Sequence, residues 1–304
     1  MRHALSVDIG GTSTRLAIVT EAGTIITKQS FATDVKHPQL TLAKIHAFAE
    51  TFDQELVGVG ISCPGPLDLN HGIVLTPPNL EGWHHFKLKE EAEKILKLPV
   101  VVENDANLAC YAESVVGAGK EFKSVQYLTI STGVGGGLVI NGDIYRGANG
   151  FAEEIANGIL WKNGPQMGTL KSGSLESICS GTALTTRAIR EGLIVTHAGD
   201  VFDLAYKGNQ IAAQIIDDMY EYLSNMIGII IGILDPHVIV LGGGVANKTP
   251  NFIPEIESRV LNKVYAIQQS NLNIVESNLG DDNGLIGGAL YAFNQFGGLN
   301  NEHC

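Results

Sequence analysis

The feature that most constrains the fold is a pattern that occurs twice, in which an apolar strand meets a glycine-rich turn and a second strand returns. In the first copy, residues 4–9 predict a strand that stops at Gly10, and the chain returns as a strand over residues 15–20. In the second copy, residues 125–131 predict a strand and residues 132–137 a glycine turn. A chain whose two halves begin in the same way is expected to fold into two related lobes.

The length of the chain also favours two lobes. Its 304 residues exceed the usual domain size of about 100 to 200 residues. We place the boundary near residues 117–120, which gives an N-terminal lobe of residues 1–117 and a C-terminal lobe of residues 118–285. A C-terminal helix over about residues 286–304 is expected to complete the first lobe, with the residues from about 297 frayed.

Periodicity identifies further elements between these landmarks. Helices are predicted at residues 40–52, 106–116, 210–234 and 284–293, and strands at residues 24–30, 57–62, 100–102, 138–140 and 238–241. Strands that alternate with helices are typical of an α/β protein with a partly parallel sheet, and the carboxyl ends of such strands collect ligand-binding loops.

Charge and hydropathy exclude several classes of partner. A net charge of −12 argues against a nucleic-acid partner, which needs clustered Lys and Arg. The most apolar run, residues 226–234, is about half of the length that crosses a membrane, so no membrane partner is expected. Residues 1–6 lead directly into a strand and leave no room for a signal peptide. We therefore expect a cytoplasmic protein.

The cysteines predict neither a disulfide framework nor a zinc cluster. The chain has four, which lie far apart and form no Cys-x-x-Cys pair: Cys63, Cys110, Cys179 and Cys304. Reduced thiols are the expected state.

Residues 8–12 form a candidate phosphate loop. Asp8 ends a strand just before Gly10 and Gly11, where the missing side chains let the backbone approach a phosphate. A carboxylate at this place can also hold Mg²⁺ through water. The alternative is an ordinary hairpin turn with a solvated aspartate.

Two further glycine turns follow core strands. The turn over residues 132–137 adds the hydroxyl of Thr132 as a donor to a phosphate oxygen, and residues 242–244 could lie flat against an adenine or a ribose. Either turn could instead reflect bulges and close packing. Neither has the spacing of a dinucleotide fingerprint or of a Walker loop. Together the three turns could frame one long anionic ligand.

Residues 103–107 offer two carboxylates and two amides where a strand becomes a helix. Phosphoryl transfer to a hydroxyl needs a carboxylate that accepts the hydroxyl proton, and Asp105 suits that role. Its place by a helix N-terminus favours the ionised form. The alternative is that Asn104 or Asp105 only caps the helix.

Two further segments, residues 64–66 and 78–80, join the motifs at residues 8–12, 103–107, 133–137 and 238–244, and together the six span nearly the whole chain. In order and spacing they resemble the ROK family of bacterial sugar kinases and repressors. The resemblance implies an α/β fold of the two-lobed actin-hexokinase type (ribonuclease H-like), with ATP and a sugar meeting in the interlobe cleft.

The resemblance also assigns roles to residues. Asp105 would be the catalytic base, and Asp8 would hold Mg²⁺ through water. The residues that would bind ATP are Asp8, Gly10, Gly11, Thr12, Thr132, Gly133, Gly135, Gly136, Gly242, Gly243 and Gly244. The residues that would bind the sugar are Gly65, Asn79, Asn104, Asp105, Glu154, Asn157 and Glu176.

The chain departs from the family's zinc motif. The family places a histidine and three cysteines where this sequence has Asn157, Met167, Thr169 and Ser174. These side chains lack the imidazole and thiolate donors that hold tetrahedral zinc, so we predict no structural zinc.

The sequence thus predicts an ATP- and Mg²⁺-dependent sugar kinase that phosphorylates a hexose, with the 6-hydroxyl of glucose or a glucose-like sugar as the favoured acceptor. N-acetylmannosamine, N-acetylglucosamine and a β-glucoside stay open as substrates. A sugar-sensing transcriptional regulator is the rival from another class; the DNA-binding domain of such regulators precedes the first phosphate loop, and seven residues precede Asp8 here. Family habit suggests a homodimer.

Overall fold

The computed structural model describes residues 1–77 and 79–297, which divide into two compact units. The first unit comprises Met1–Lys120, Gly142–Phe151 and the segment from Asp281 onwards. The second comprises Glu121–Asn141 and Ala152–Gly280. The predicted fraying beyond residue 297 lies outside the described residues.

The strands of the described residues follow the predicted α/β alternation. In chain order they are β1 (His3–Ile9), β2 (Ser13–Thr20), β3 (Ile25–Ala32), β4 (Leu56–Ser62), β5 (Leu67–Asp68), β6 (Ile73–Val74), β7 (Val100–Glu103), β8 (Ser124–Ile130), β9 (Val134–Ile140), β10 (Asp143–Ile144), β11 (Val238–Gly242) and β12 (Ile274–Glu276).

The helices are α1 (Pro38–Ala49), α2 (Leu88–Leu96), α3 (Asp105–Val115), α4 (Leu175–Cys179), α5 (Gly181–Arg190), α6 (Ala198–Tyr206), α7 (Gln210–Leu234), α8 (Gly244–Lys248), α9 (Phe252–Val260), α10 (Ala266–Gln269) and α11 (Asn283–Phe296). Short 3₁₀ turns occupy Glu81–Trp83, Ile155–Asn157 and Gly280–Asp282. No helix within residues 1–77 and 79–297 is both long and apolar enough to cross a membrane.

The first unit is built on a sheet with the strand order β3-β2-β1-β4-β7. Strand β1 is antiparallel to β2 and parallel to β4, which is in turn parallel to β7. The register pairs Asp8 with Ser62 and Ser62 with Glu103, so the three parallel strands end side by side. This alignment brings the loops that follow β1, β4 and β7 to one edge of the sheet.

Helix α11 packs closely on this sheet, as its small residues predicted. A Cβ atom on Gly60 of β4 would lie 1.9 Å from the carbonyl oxygen of Gly288, and one on Gly287 would lie 1.9 Å from the carbonyl oxygen of Leu108. Only glycine allows backbones to approach this closely. The contact fixes the C-terminal helix to the first unit.

The second unit contains the strands in the order β9-β8-β11-β12, with β8 antiparallel to β9 and parallel to β11. Its core includes the apolar stripe of α7, whose predicted bounds of 210 and 234 are confirmed. The prediction of a turn over residues 132–137 was wrong in its extent, because β9 begins at Val134 and Gly135 pairs with Thr129 in the ladder. A ladder uses only backbone groups, so glycines can continue it.

Candidate active site

The ends of β1 and β4 lie beside the start of α3 in the first unit. Burial raises the pKa of the Cys63 thiol just after β4, and the nearby carboxylates of Asp105 and Asp8 raise it further. Both predicted carboxylates therefore act on the same buried thiol. The sheet register explains the proximity, because Asp8 is level with the residue before Cys63.

The start of helix α3 shows which of two neighbouring residues, Asn104 or Asp105, caps the helix. Asn104 is the N-cap: its Oδ1 accepts hydrogen bonds from the backbone N–H groups of Ala106 at 2.9 Å and Asn107 at 3.4 Å. Asp105 is the first helical residue, is exposed, and accepts from the Ala106 N–H at 2.9 Å. The Oδ1 atom of Asn104 therefore serves the cap, and its amide nitrogen is the donor of this side chain.

A buried charge network below Asp105 was not predicted. The Glu103 carboxylate is fully buried and accepts from the backbone N–H of Asn104 and from the Asn107 amide, both at 2.9 Å. Its other oxygen accepts from Arg146 at 2.7 Å, and Arg146 also donates to the Tyr291 hydroxyl at 2.7 Å. The network ties the end of β7 and the start of α3 to one guanidinium. An acidic residue at the end of an apolar strand was the available signal.

The first phosphate-loop candidate is a tight turn. The Gly10 N–H donates to the Ser13 carbonyl at 2.9 Å, which closes it. Asp8 Oδ2 accepts from Arg15 Nη2 at 2.6 Å and from Nε at 3.0 Å. A Cβ atom on Gly11 would lie 2.8 Å from Cβ of Asn79, so the loop touches a predicted sugar-binding residue.

The remaining candidates of the first unit lie in loops. Gly65 follows β4, Thr12 precedes β2, and Asn79 is exposed before the 3₁₀ turn at Glu81. Pro78 of the same motif lies outside the described residues.

In the second unit, the second glycine turn meets the predicted sugar-binding carboxylates. Glu176 Oε2 accepts from the Val134 backbone N–H at 2.8 Å, and a Cβ atom on Gly133 would lie 2.7 Å from that oxygen. Burial raises the pKa of Glu154, and the charge of Glu176 raises it further. Asn157 ends the 3₁₀ turn that begins just after Glu154. The structure thus brings these predicted residues together.

Glu153 is a second unpredicted carboxylate. Its backbone φ of 67° lies in the left-handed region, which is uncommon for a glutamate. Its Oε2 accepts from Gln126 Nε2 at 2.6 Å, and burial raises its pKa. A Cβ atom on Gly136 would lie 2.9 Å from the same oxygen, so the glycine of β9 makes room for this carboxylate.

A cavity of about 850 Å³ opens within the second unit. It is lined by Ser131, Thr132, Gly181, Thr182, Thr185, Thr186, Thr196, His197, Ala198, Gly199, Phe202, Asp203, Tyr206, Gly244, Val245, Lys248, Thr249 and Pro250. The first residues of α5 and α6 belong to this lining, so helix-terminal N–H groups and several hydroxyls reach a wall that is otherwise mainly apolar. A cavity of this size, with a mainly apolar wall and a few polar groups, suits a nucleotide.

Of the predicted ATP-binding residues of the second unit, some line this cavity and others do not. Thr132 and Gly244 line it, whereas the other predicted glycines of the second unit do not. Gly242 and Gly243 pack against β8: a Cβ atom on Gly243, whose φ is 89°, would lie 2.5 Å from the Ile130 carbonyl oxygen. Close packing accounts for these two glycines.

The residues at the zinc motif do not fit a zinc ion. Met167 is in contact with a hydroxyl, accepting from Ser180 Oγ at 3.9 Å, and Ser174 Oγ donates to Ser177 Oγ at 2.9 Å. Within residues 1–77 and 79–297, no three His, Cys, Asp or Glu side chains are grouped so that they could hold a metal ion.

The two sheets and their strand orders place the fold in the actin-hexokinase class. A crystal structure of a ROK hexokinase from Thermus thermophilus superposes with a TM-score of 0.86 at 28% identity, over 96% of this chain and 98% of that one. The prediction of an α/β fold of the actin-hexokinase type is therefore confirmed. The ROK family model matches residues 4–295, and the chain belongs to the ROK family.

Relatives within the family differ in what they do. A glucokinase from Halalkalibacterium halodurans is 31% identical over 94% of each chain. A xylose repressor from Bacillus spizizenii is 29% identical over 91% of this chain and 73% of the repressor. A Streptomyces griseus glucokinase solved with glucose and AMPPNP is 27% identical, with a TM-score of 0.79 over 96% of this chain and 99% of that one. The relatives support a sugar kinase and include regulators.

Proposed function

We propose that this protein transfers the γ-phosphoryl group of ATP to a hydroxyl of a hexose, with the 6-hydroxyl of glucose or a glucose-like sugar as acceptor. The observation that carries the proposal is the placement of Asp105, exposed at the start of α3 beside a separate capping residue, Asn104. Because Asn104 caps the helix, capping alone does not account for an aspartate at this position. The glucokinase relatives support the choice of sugar.

Asp105 acts as the general base. As the first residue of α3 it lies at the positive end of the helix dipole, which favours the carboxylate over the acid. It accepts the proton of the attacking hydroxyl late in the transfer, while positioning and charge neutralisation supply most of the rate enhancement. Glu103 and Arg146 hold the strand end from which Asp105 projects.

Carboxylates and amides orient the sugar. Glu154 and Glu176 accept hydrogen bonds from vicinal hydroxyls, and Asn157 and Asn104 add amide groups. Sugars are distinguished by this kind of pairing, because a buried polar group without a partner costs about 1 to 3 kcal/mol. Gly65 and Asn79 are further residues that we assign to sugar binding.

The nucleotide occupies the cavity of the second unit, with its phosphates directed to Thr132 and the glycine turn that follows it. Hydroxyls and helix-terminal N–H groups in the lining, such as Thr132 and those at the start of α5, suit anionic and polar groups. Asp8 fits a magnesium ion held through water, because only its Oδ2 atom bonds to Arg15. The ion neutralises phosphate charge when bound. We further infer that the protein acts in the cytoplasm, which supplies ATP. Family habit supports a homodimer.

The test is a coupled assay of ADP release over glucose, N-acetylmannosamine, N-acetylglucosamine, fructose and a β-glucoside. The wild type is expected to turn over at least one of them, with glucose favoured. Asp105→Ala and Asp105→Asn should lower kcat by about a hundredfold to ten-thousandfold while sugar binding stays measurable by calorimetry. Turnover of Asp105→Asn near that of the wild type would refute the assignment.

A sugar-sensing regulator is the second candidate, favoured by the match to the xylose repressor. A regulator would bind a sugar such as xylose with no ATP-dependent turnover of any sugar in the panel. A salt-dependent shift of operator DNA in a gel would then support it.

A further inference from the structure

The loop of residues 158–173 joins two segments that we assign to sugar binding. It begins just after Asn157 and ends just before α4, which carries Glu176. The two ends are tied together, because Leu175 N–H donates to the Gly158 carbonyl at 2.9 Å and the bridge between Ile159 and Ser174 continues the pairing. This pairing holds the two segments together at the base of the loop, so an anchor for the loop acts on both of them.

An aromatic stack anchors this loop. The ring of Trp161 lies on the ring of Tyr222, with centroids 4.9 Å apart and planes 13° from parallel. The guanidinium carbon of Arg187 lies 5.7 Å from the centre of the Trp161 ring. Arg187 is itself fixed by an ion pair with Asp218, one turn before Tyr222 on α7. Trp161 is thus held between α5 and α7.

The loop backbone closes around the same tryptophan. A Cβ atom on Gly164 would lie 2.8 Å from Cγ of Trp161, and one on Gly173 would lie 1.7 Å from the Trp161 carbonyl oxygen. The Gly173 N–H donates to the Pro165 carbonyl at 2.8 Å. The chain can wrap this tightly only because glycine occupies both positions.

We propose that Trp161, through its contacts with Tyr222 and Arg187, is the positioning residue that orients Asn157 and Glu176 for the sugar. Trp161 acts through the loop and does not touch the sugar. It supplies the anchor in a loop whose own side chains do not fit zinc. The inference rests on the proposed function for the identity of the ligand, but the anchoring itself can be tested without any sugar.

Limited proteolysis tests the anchor. Lys162 and Lys171 are exposed within the loop, and trypsin cleaves after lysine only where the backbone can open locally. Trp161→Ala should raise the rates of cleavage after both lysines, followed by mass spectrometry, about tenfold, which corresponds to about 1.4 kcal/mol. Trp161→Phe keeps a stacked ring and should restore most of the protection. Val260→Ala, a buried change on α9 of the same unit, is the control.

Kinetics test the consequence for the sugar, measured with the panel sugar that the wild type turns over fastest. Trp161→Ala should raise the KM for the sugar about tenfold and leave the KM for ATP within twofold, and Trp161→Phe should restore the sugar KM. Val260→Ala should change neither. A zinc chelator, phenanthroline, should leave the wild-type cleavage rates and sugar KM unchanged.

The two arms separate failure of the inference from failure of the proposed function. A wild type that turns over no panel sugar refutes the proposed function, and the cleavage rates still decide the anchor. Trp161→Ala with wild-type cleavage rates overturns the inference, and so does a Val260→Ala control that shows the same rise in cleavage and in sugar KM as Trp161→Ala. If Trp161→Ala does not fold, Tyr222→Ala removes the other ring, and unchanged cleavage in that variant overturns it as well.

Discussion

Replacing Arg146 with alanine should destabilise the first unit by about 3 kcal/mol. The Glu103 side chain is 1% exposed and Arg146 is 34% exposed, so the change leaves a buried carboxylate without its cation. Breaking a buried ion pair from one side costs about 3 to 5 kcal/mol. We take the lower end, because Glu103 keeps its hydrogen bonds from Asn104 and the Asn107 amide.

Urea unfolding followed by tryptophan fluorescence measures this loss. The chain has two tryptophans, so in a Trp161→Phe background the signal comes from Trp83, which is buried in the first unit. With a urea dependence of about 1 to 3 kcal/mol per molar, the midpoint should fall by about 1 to 3 M. Tyr291→Phe, which removes a single hydrogen bond from Arg146, should cost about 1 kcal/mol.

Two results would refute this reasoning. An Arg146→Ala midpoint equal to the wild-type value would mean that Glu103 is not a buried charge in solution. A loss in Tyr291→Phe as large as in Arg146→Ala would mean that packing, and not charge, holds the strand end. The double variant Glu103→Gln/Arg146→Met should recover part of the stability, because it leaves neither charge unpaired.

Two further predictions concern the second unit. Gly243→Ala should cost about 3 kcal/mol in urea unfolding followed by Trp161 fluorescence, because alanine is strained at a φ of 89° and its Cβ would lie 2.5 Å from the Ile130 oxygen. The control is Gly232→Ala on α7, where a Cβ meets nothing within 4 Å, and it should be neutral or stabilising. An equally large loss in the control would contradict the prediction. Glu153→Gln should raise the urea midpoint at pH 7, and its amide oxygen can still accept from Gln126. Burial raises the pKa of Glu153, so the wild type loses stability as the pH rises from the ordinary carboxyl pKa through that raised value. The gain should therefore vanish at lower pH, and a gain that does not depend on pH would exclude the charge as its cause.

Hydrophobic periodicity predicted the elements that are held in place by a buried apolar face. The stripe of α7 gave both of its bounds, and Pro236 marked its end. Glycine-rich segments were less informative, because glycine is common in turns yet can also continue a strand. Gly135 lies in β9 for that reason. Composition near a turn therefore predicts that a hairpin exists better than where its strands begin.

In the candidate site, too, some residues were predicted from a local motif and others were not. Asn104 and Asp105 were identified from a local motif, and the structure then assigned the cap to Asn104. Arg146 could not be found by that route, because its contact with Glu103 joins residues 43 positions apart and depends on the tertiary fold. Trp161 was missed for a related reason, since its partners lie on helices far along the chain. Local patterns identify the groups that do chemistry, whereas the groups that hold them are defined by packing.

The buried carboxylates of the two units differ in whether a cation compensates their charge, and this difference bears on how a sugar would bind. In the first unit Glu103 is compensated by a guanidinium. In the second, burial raises the pKa values of Glu153 and Glu154, and for Glu154 the neighbouring charge of Glu176 adds to the effect. Hydroxyls that donate to Glu154 and Glu176 would relieve this cost, because a hydrogen bond to the ionised form stabilises it. A hydrogen bond from a sugar hydroxyl to Glu154 would therefore lower the pKa of that carboxyl towards its ordinary value.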